Sequence, residues 1–351
     1  MNQTGQETAK QRVRAALDFQ ETEYVPYTFG FSPPVAMRLK EHYGVENPFV
    51  DLGMHIFAIG PNPASDFVRS ATSPKRDVDE FGVRWQTSPH GGRLPGGHPM
   101  TEPDLNGISW PDPMAGGRFD QVEETITAHQ DRFLVAGVNY TLFERAHFLR
   151  GFKEFLCDLA LRPQFAHTLL DRILEYDLAI LDTLLTYPFD GVWFGDDYGH
   201  QGGLILSPRM WRTFIKPRLS VLMERARKAG LPTFLHSDGA VTELIPDLLE
   251  IGLSALNPLQ PEVMDLVHLK KEYGQELCFC GGISTQRTLS QGSVADVEEE
   301  LKQRINHLAH GGGYIVSTAG SVQADVPMAN LTRLLDLLRN QDQHPLNIRS
   351  N

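Results

Sequence analysis

The chain reads as an α/β protein, a (β/α)8 TIM barrel with an irregular insertion in its N-terminal third. Three observations predict this. Short apolar runs that stop at polar or glycine residues recur along the chain, and segments of helical period lie between them. No Gly-x-Gly-x-x-Gly turn follows an early strand, as an open dinucleotide-binding sheet would need. Alternating strands and helices give a parallel sheet with right-handed crossovers.

The elements follow in order. A first helix, roughly Glu7 to Asp18 with Thr4 and Glu7 as its capping box, is placed to cover one end of the barrel. Apolar runs at Tyr24–Phe29, before Gly30, and at Phe133–Val138, before Asn139, are strand candidates, and one more strand is expected in the irregular first third. Residues 86–117 are rich in Gly and Pro and have no period of either kind. A structureless stretch this long reads as an insertion or lid within one barrel domain spanning 1–351.

Asp158 to Tyr187 carries an apolar stripe through Leu159, Phe165, Leu169, Ile173 and Leu181, with Pro163 marking a break. The strand Gly191–Gly195 leads into Asp196-Asp197-Tyr198. Ser207 and Pro208 supply an N-cap and a first helical position for a segment running through Trp211, Ile215 and Leu222 to Gly230. Pro232–Leu235 ends in His236-Ser237-Asp238-Gly239. Leu253–Leu256 leads into Asn257-Pro258-Leu259-Gln260, Leu277–Cys280 into Gly281-Gly282, and Gly313–Val316 into Ser317-Thr318. Ser293 with Asp296 opens a helix over Val294–Ala309.

Charge limits the partners. A formal net charge of -12 argues against nucleic acid or an anionic membrane as the target. No apolar run is long enough to span a bilayer, and the first residues do not read as a signal peptide. Three cysteines, Cys157, Cys278 and Cys280, cannot all pair, which fits a reduced, cytoplasmic protein.

Polar residues at the carboxyl ends of barrel strands face the mouth, so the chemistry is expected there. His236 and Asp238 are two apart at a strand end and lean into one mouth, as a metal-binding pair or as an acid with its orienter. The competing reading has His236 bonding a backbone carbonyl and Asp238 capping the next helix. Asp196 and Asp197 are adjacent carboxylates that repel, so at least one needs a partner, a metal or a shared proton. The alternative is a turn cap beside a solvated acid. Cys280 beside His236 would complete a soft metal site, unless it is a small buried hydrophobe. Asn139, Tyr198, Asn257 and Gln260 are neutral groups suited to orienting a small substrate.

Several of these segments together resemble one family. Asp196-Asp197-Tyr198-Gly199, His236-Ser237-Asp238-Gly239 with Ile245-Pro246-Asp247-Leu248, Asn257-Pro258-Leu259-Gln260-Pro261, Gly281-Gly282-Ile283-Ser284-Thr285-Gln286, and Gly311-Gly312-Gly313-Tyr314 to Gln323-Ala324-Asp325-Val326-Pro327 are similar to the uroporphyrinogen decarboxylase superfamily. The resemblance runs from Arg12-Val13-Arg14-Ala15-Ala16-Leu17 to the last helix. It implies a distorted (β/α)8 barrel with one deep carboxyl-end cleft, and it holds two chemistries.

The decarboxylases of that superfamily carry an arginine loop, Arg-Gln-Ala-Gly-Arg, just after the first strand to hold the carboxylates of the porphyrinogen. Here the corresponding stretch, Gly30-Phe31-Ser32-Pro33-Pro34-Val35, contains no arginine, and the mouth is lined by Asp, Asn and Gln. The other branch transfers methyl groups to or from a corrinoid protein, using a zinc site of His-x-Cys and a distant Cys. This chain keeps the histidine as His236, has Asp238 in place of Cys, and has Gly320 near the distant position. Carboxylate ligands suit an oxygen substrate. The resemblance therefore implies a methyltransferase that passes a methyl group from a small methylated donor, such as an aryl methyl ether, to a separate corrinoid (cobalamin) protein. In this role His236 and Asp238, joined by Cys280 as the soft ligand, hold zinc, or His236 and Asp238 form a proton-donating pair. Asp196 or Asp197 acts as acid, and Tyr198, Asn139, Asn257 and Gln260 position the donor. A homodimer is the assembly expected from such relatives.

Overall fold

The computed structural model describes residues 7–65, 77–88 and 93–343. In chain order its strands are β1 (Ile56–Ile59), β2 (Arg84–Thr87), β3 (Arg93–Gly97), β4 (Phe133–Val138), β5 (Gly191–Gly195), β6 (Gly199–His200), β7 (Gly203–Leu204), β8 (Thr233–His236), β9 (Ala255–Leu259), β10 (Cys278–Ile283) and β11 (Tyr314–Thr318). Seven of them form one parallel sheet in the order β1-β4-β5-β8-β9-β10-β11. All six residues of β4 and all five of β9 and β11 are buried, because both faces of a parallel sheet are covered.

Among the described residues the parallel sheet has seven strands rather than the eight of a complete barrel. The run Tyr24–Phe29 is where the reading fails. It lies between β11 and β1, but only through isolated bonds: Val316 N–H donates to the Pro26 carbonyl at 2.8 Å, Thr28 N–H to Val316 at 2.9 Å, and His55 N–H to Tyr27 at 2.9 Å. Pro26 has no N–H to give, so a continuous ladder cannot form there. The strand left unplaced by the sequence is β1.

The first helix, Ala9–Leu17, is capped by Thr8 and Gln11 rather than by the pair one turn earlier, and Thr4 lies outside the described residues. Val13 and Ala16 pack with Ile56, Phe133, Val135, Phe234, Ala255 and Ile315, while Lys10 and Arg14 reach Asp190, just before β5, at 2.8 and 3.2 Å. This pins the helix to the amino end of the sheet. The opposite face of the sheet packs against the outer helices, for example Leu134 and Leu235 with Leu169, Leu222 and Leu248.

Two helical segments behave differently at their prolines. Pro163 does separate Phe152–Leu161 from Pro163–Leu184. The segment expected to run unbroken from Ser207 to Gly230 is instead two helices, Pro208–Phe214 and Lys216–Lys228, because Pro217 removes an intrahelical donor and crowds the preceding turn. The capping box of Ser293 and Asp296 opens Val294–Leu308 as expected. From Arg84 to Gly117 the described residues, 84–88 and 93–117, are more ordered than their composition implies. β2 and β3 form an antiparallel hairpin, Leu105–Gly107 is a 3₁₀ turn, and Trp85 packs on Tyr140 and Phe148.

Candidate functional site

The parallel register sets His236, the last residue of β8, beside Asn257 of β9. Asn257 Nδ2 donates to the carbonyl of Cys280 on β10 at 3.1 Å, and a carbonyl can only accept. That turns Asn257 Oδ1 toward His236 Nδ1, 2.7 Å away, so Nδ1 carries the hydrogen and Nε2 keeps its lone pair.

His236 Nε2 lies 4.0 Å from Asp197 Oδ1 and 4.0 Å from Asp238 Oδ2. One ligand atom from each of the three residues falls within 4.8 Å of the others. Asp197 Oδ1 also accepts the backbone N–H of Asp238 at 2.8 Å, which fixes the two acids relative to each other. Burial raises the Asp197 carboxyl above its ordinary value, against the pull of His236. The second oxygen of Asp238, Oδ1, is shielded from solvent and has no hydrogen-bond partner. Asp238 caps no helix, since the following turn begins only at Thr242 and the helix at Ile245.

An imidazole lone pair, two carboxylates and an unsatisfied carboxylate oxygen fit a divalent metal. Donor atoms ~2.1 Å from a tetrahedral zinc stand ~3.4 Å apart, so the 4.0 Å separations close with a small rotation of the acids. Three protein ligands leave a fourth position for substrate.

The structure separates the other predicted residues from this triad. Asp196 is fully buried. Its Oδ2 accepts Phe143 N–H at 2.9 Å and the Tyr198 hydroxyl at 3.0 Å, and its Oδ1 accepts Glu144 N–H at 2.7 Å. It caps the helix Leu142–Arg150 from the neighbouring strand end, and burial pushes its carboxyl up to about 7. Asp196 is thus not an acid open to the mouth. Tyr198 is buried against Trp211 with its hydroxyl spent on Asp196, so it does not touch a ligand. Gln260 is buried and accepts Gly239 N–H, holding the His236–Gly239 loop rather than the mouth. Cys280 is fully buried with Ile56, Phe234 and Ile315, and burial pushes its thiol up to about 12. Its sulfur accepts from Asn257 Nδ2 at 3.4 Å and is not among the ligand atoms that fall within 4.8 Å of one another, which corrects its place in the metal set. Asn139 is exposed at the end of β4.

One residue was missed. Glu144 stands in the first turn of Leu142–Arg150, where burial and then the charges of Asp197 and Asp196 hold its carboxyl well above the usual range. The spacing Thr141-x-x-Glu144 directly after a mouth strand marks it, yet this spacing reads as a capping box. Thr141 makes no such cap, because Asp196 has taken the helix donors.

Beside the triad, a cavity of about 390 Å³ opens between residues 28–30, β1 and the end of β11. Phe29, Phe49, Ile56, Phe57 and Trp193 form its apolar wall, and Thr28, Asn47, His236, Asn257, Ser317, Thr318 and Ser321 its polar one. Among the described residues lining it there is no Lys or Arg.

The profile of the uroporphyrinogen decarboxylase (URO-D) family matches residues 79–341. The chain belongs to this family. No curated protein matches it. Among solved structures, a methyltransferase from Methanosarcina mazei is similar over 96% of this chain and 100% of its own, with a TM-score of 0.71 and 19% identity, and so shares the fold of this URO-D member. An archaeal fructose-1,6-bisphosphate aldolase overlaps 48% of the chain and 62% of its own at a TM-score of 0.26 and 17% identity, too little to argue from. Among the described residues no helix is long and apolar enough to cross a membrane.

Proposed function

We propose that this URO-D family member is a methyltransferase that takes a methyl group from the oxygen of a small donor, an aryl methyl ether, and passes it to the cobalt of a separate corrinoid protein. The observation that carries the reading is the His236–Asp197–Asp238 triad beside a cavity with no Lys or Arg among the described residues that line it. Such a cavity disfavours a porphyrinogen bearing many carboxylates, whose desolvation needs compensating positive charge. In this reading the segment 25–31 serves as the eighth stave of a closed barrel, and residues 86–117 act as a lid.

The corrinoid, when bound with its partner, supplies the nucleophile. A zinc ion, when bound, supplies a Lewis acid for the departing oxygen. The chain does the rest. His236 presents Nε2 in the tautomer set by Asn257, Asp197 and Asp238 supply the carboxylate ligands, and Glu144 holds a proton near the oxygen that leaves. As the carbon–oxygen bond breaks its electron pair stays on oxygen, which takes that proton and departs as a phenol.

The test mixes the protein with a reduced corrinoid protein and a panel of methoxylated aromatics while the cobalt absorbance is followed. Methyl transfer that is abolished in His236→Ala and Asp197→Ala, each still folded, is the expected result. A panel with no transfer, or transfer retained in both variants, overturns the reading.

A further inference from the structure

We propose that the cavity selects by charge: its ligand is an uncharged methoxyarene, and the same ring carrying a carboxylate is refused. The inference rests on the methyl-transfer reading for the word donor, but its physical content is a binding preference.

Shape comes first. Phe29, Phe49, Ile56, Phe57, Ala58 and Trp193 line a space of about 390 Å³, enough for one planar aromatic ring. Charge decides the rest. No cationic side chain lies among the described residues of the lining, so a buried carboxylate would lose its hydration with nothing to replace it. The edge of the cavity is already acidic. Gly320 lines it, and a Cβ built at that position would stand 3.8 Å from Asp238 Oδ1. This preference belongs to the metal-free protein, because an open position on a dication held by His236, Asp197 and Asp238 would itself take a carboxylate.

The polar lining discriminates in the same direction. Thr28 and Ser317 carry hydroxyls, and the Thr318 hydroxyl, whose hydrogen goes to the Gly320 carbonyl at 2.6 Å, can only accept from a ligand. A phenol can donate to such groups as well as accept from them. A carboxylate only accepts, and its full charge gains too little from neutral hydroxyls alone.

The experiment compares three ligands by calorimetry and tryptophan fluorescence on the intact, metal-free protein at pH 7: 3-methoxyphenol, 3-methoxybenzoate and the methyl ester of that acid. The phenol and the neutral ester should bind, and the acid should bind at least ~10-fold more weakly. Ser321, exposed at the rim, gives the complement: Ser321→Arg should bring the acid to within ~2-fold of the ester. Equal or tighter binding of the acid to the unmodified protein overturns the proposal, as does failure of all three to bind. Binding of the neutral pair without methyl transfer upholds the charge selection and rejects the methyltransferase reading. Transfer from the acid but not from the neutral ligands does the reverse.

Discussion

The side-chain oxygen of Asn257 lies 2.7 Å from Nδ1 of His236, and the amide is turned that way by its bond to the Cys280 carbonyl. A neutral imidazole held in one tautomer is what a metal ligand requires, and a partner in this position raises affinity by holding the ring. Asn257→Leu should therefore weaken zinc binding ~10- to 100-fold while the far-ultraviolet circular dichroism stays unchanged. Asn257→Asp, which still accepts from Nδ1, should retain most of the affinity. Equal zinc affinity in the leucine variant and the parent would show that His236 is not oriented by this contact.

The triad predicts one divalent ion per chain. Elemental analysis of protein purified with zinc should find it, and Asp238→Ala should lose it along with the ligand-induced rise in melting temperature. Cys280→Ala should keep the ion, since that sulfur is not among the ligand atoms grouped within 4.8 Å of one another.

Asp196 is expected to act on stability more than on metal. Its carboxylate satisfies two helix donors and a tyrosine hydroxyl in a fully buried place. Removing it in Asp196→Ala leaves those donors unpaired, at a cost of ~2–4 kcal/mol in urea unfolding, with zinc stoichiometry retained. Asp196→Asn, which keeps an acceptor, should lose roughly half as much.

One buried histidine should give stability an acid-sensitive contribution of its own. His55 lies just before β1 with Nδ1 3.2 Å from the Tyr27 carbonyl, and burial lowers its pKa from 6.5 to about 3. Below pH 6.5 the unfolded chain binds a proton that the folded chain does not. Stability should then fall by about 1.4 kcal/mol per pH unit from this residue as pH drops from 6.5 toward 3. Above pH 6.5 it contributes no slope. The difference in urea stability between the parent and His55→Asn from pH 7 to 4 measures this, because the raised carboxyls of Asp196, Asp197 and Glu144 give both proteins a slope of the opposite sign.

The strand ends that carry the triad were readable because each is an apolar run that stops at a charged or amide residue, and parallel strands place such ends side by side. The functions of the individual residues were not readable to the same degree. Asp196 and Asp197 are neighbours in sequence, but alternation along an extended chain sends one into the helix cap and the other to the triad. Gln260 and Cys280 looked like mouth residues because the strands before them were ended three positions early, at Leu256 and Cys280 rather than Leu259 and Ile283, while Tyr198 follows a correctly ended strand but turns its hydroxyl back to Asp196. Glu144 was hidden because a glutamate in a first helical turn has an ordinary structural explanation. The run around Tyr27 was taken for a regular strand because apolar pattern does not register the donor that Pro26 lacks.

That missing donor shapes the rest of the molecule. Thr28, Phe29 and Gly30 belong both to the weakly stitched seam beside β11 and to the wall of the cavity. The same few backbone bonds that join the sheet's first and last strands therefore also hold one wall of the cavity. With so few bonds to lose, that wall should exchange its amide hydrogens sooner than the ladder from β1 through β11, which puts the least protected backbone of the sheet beside the ligand space.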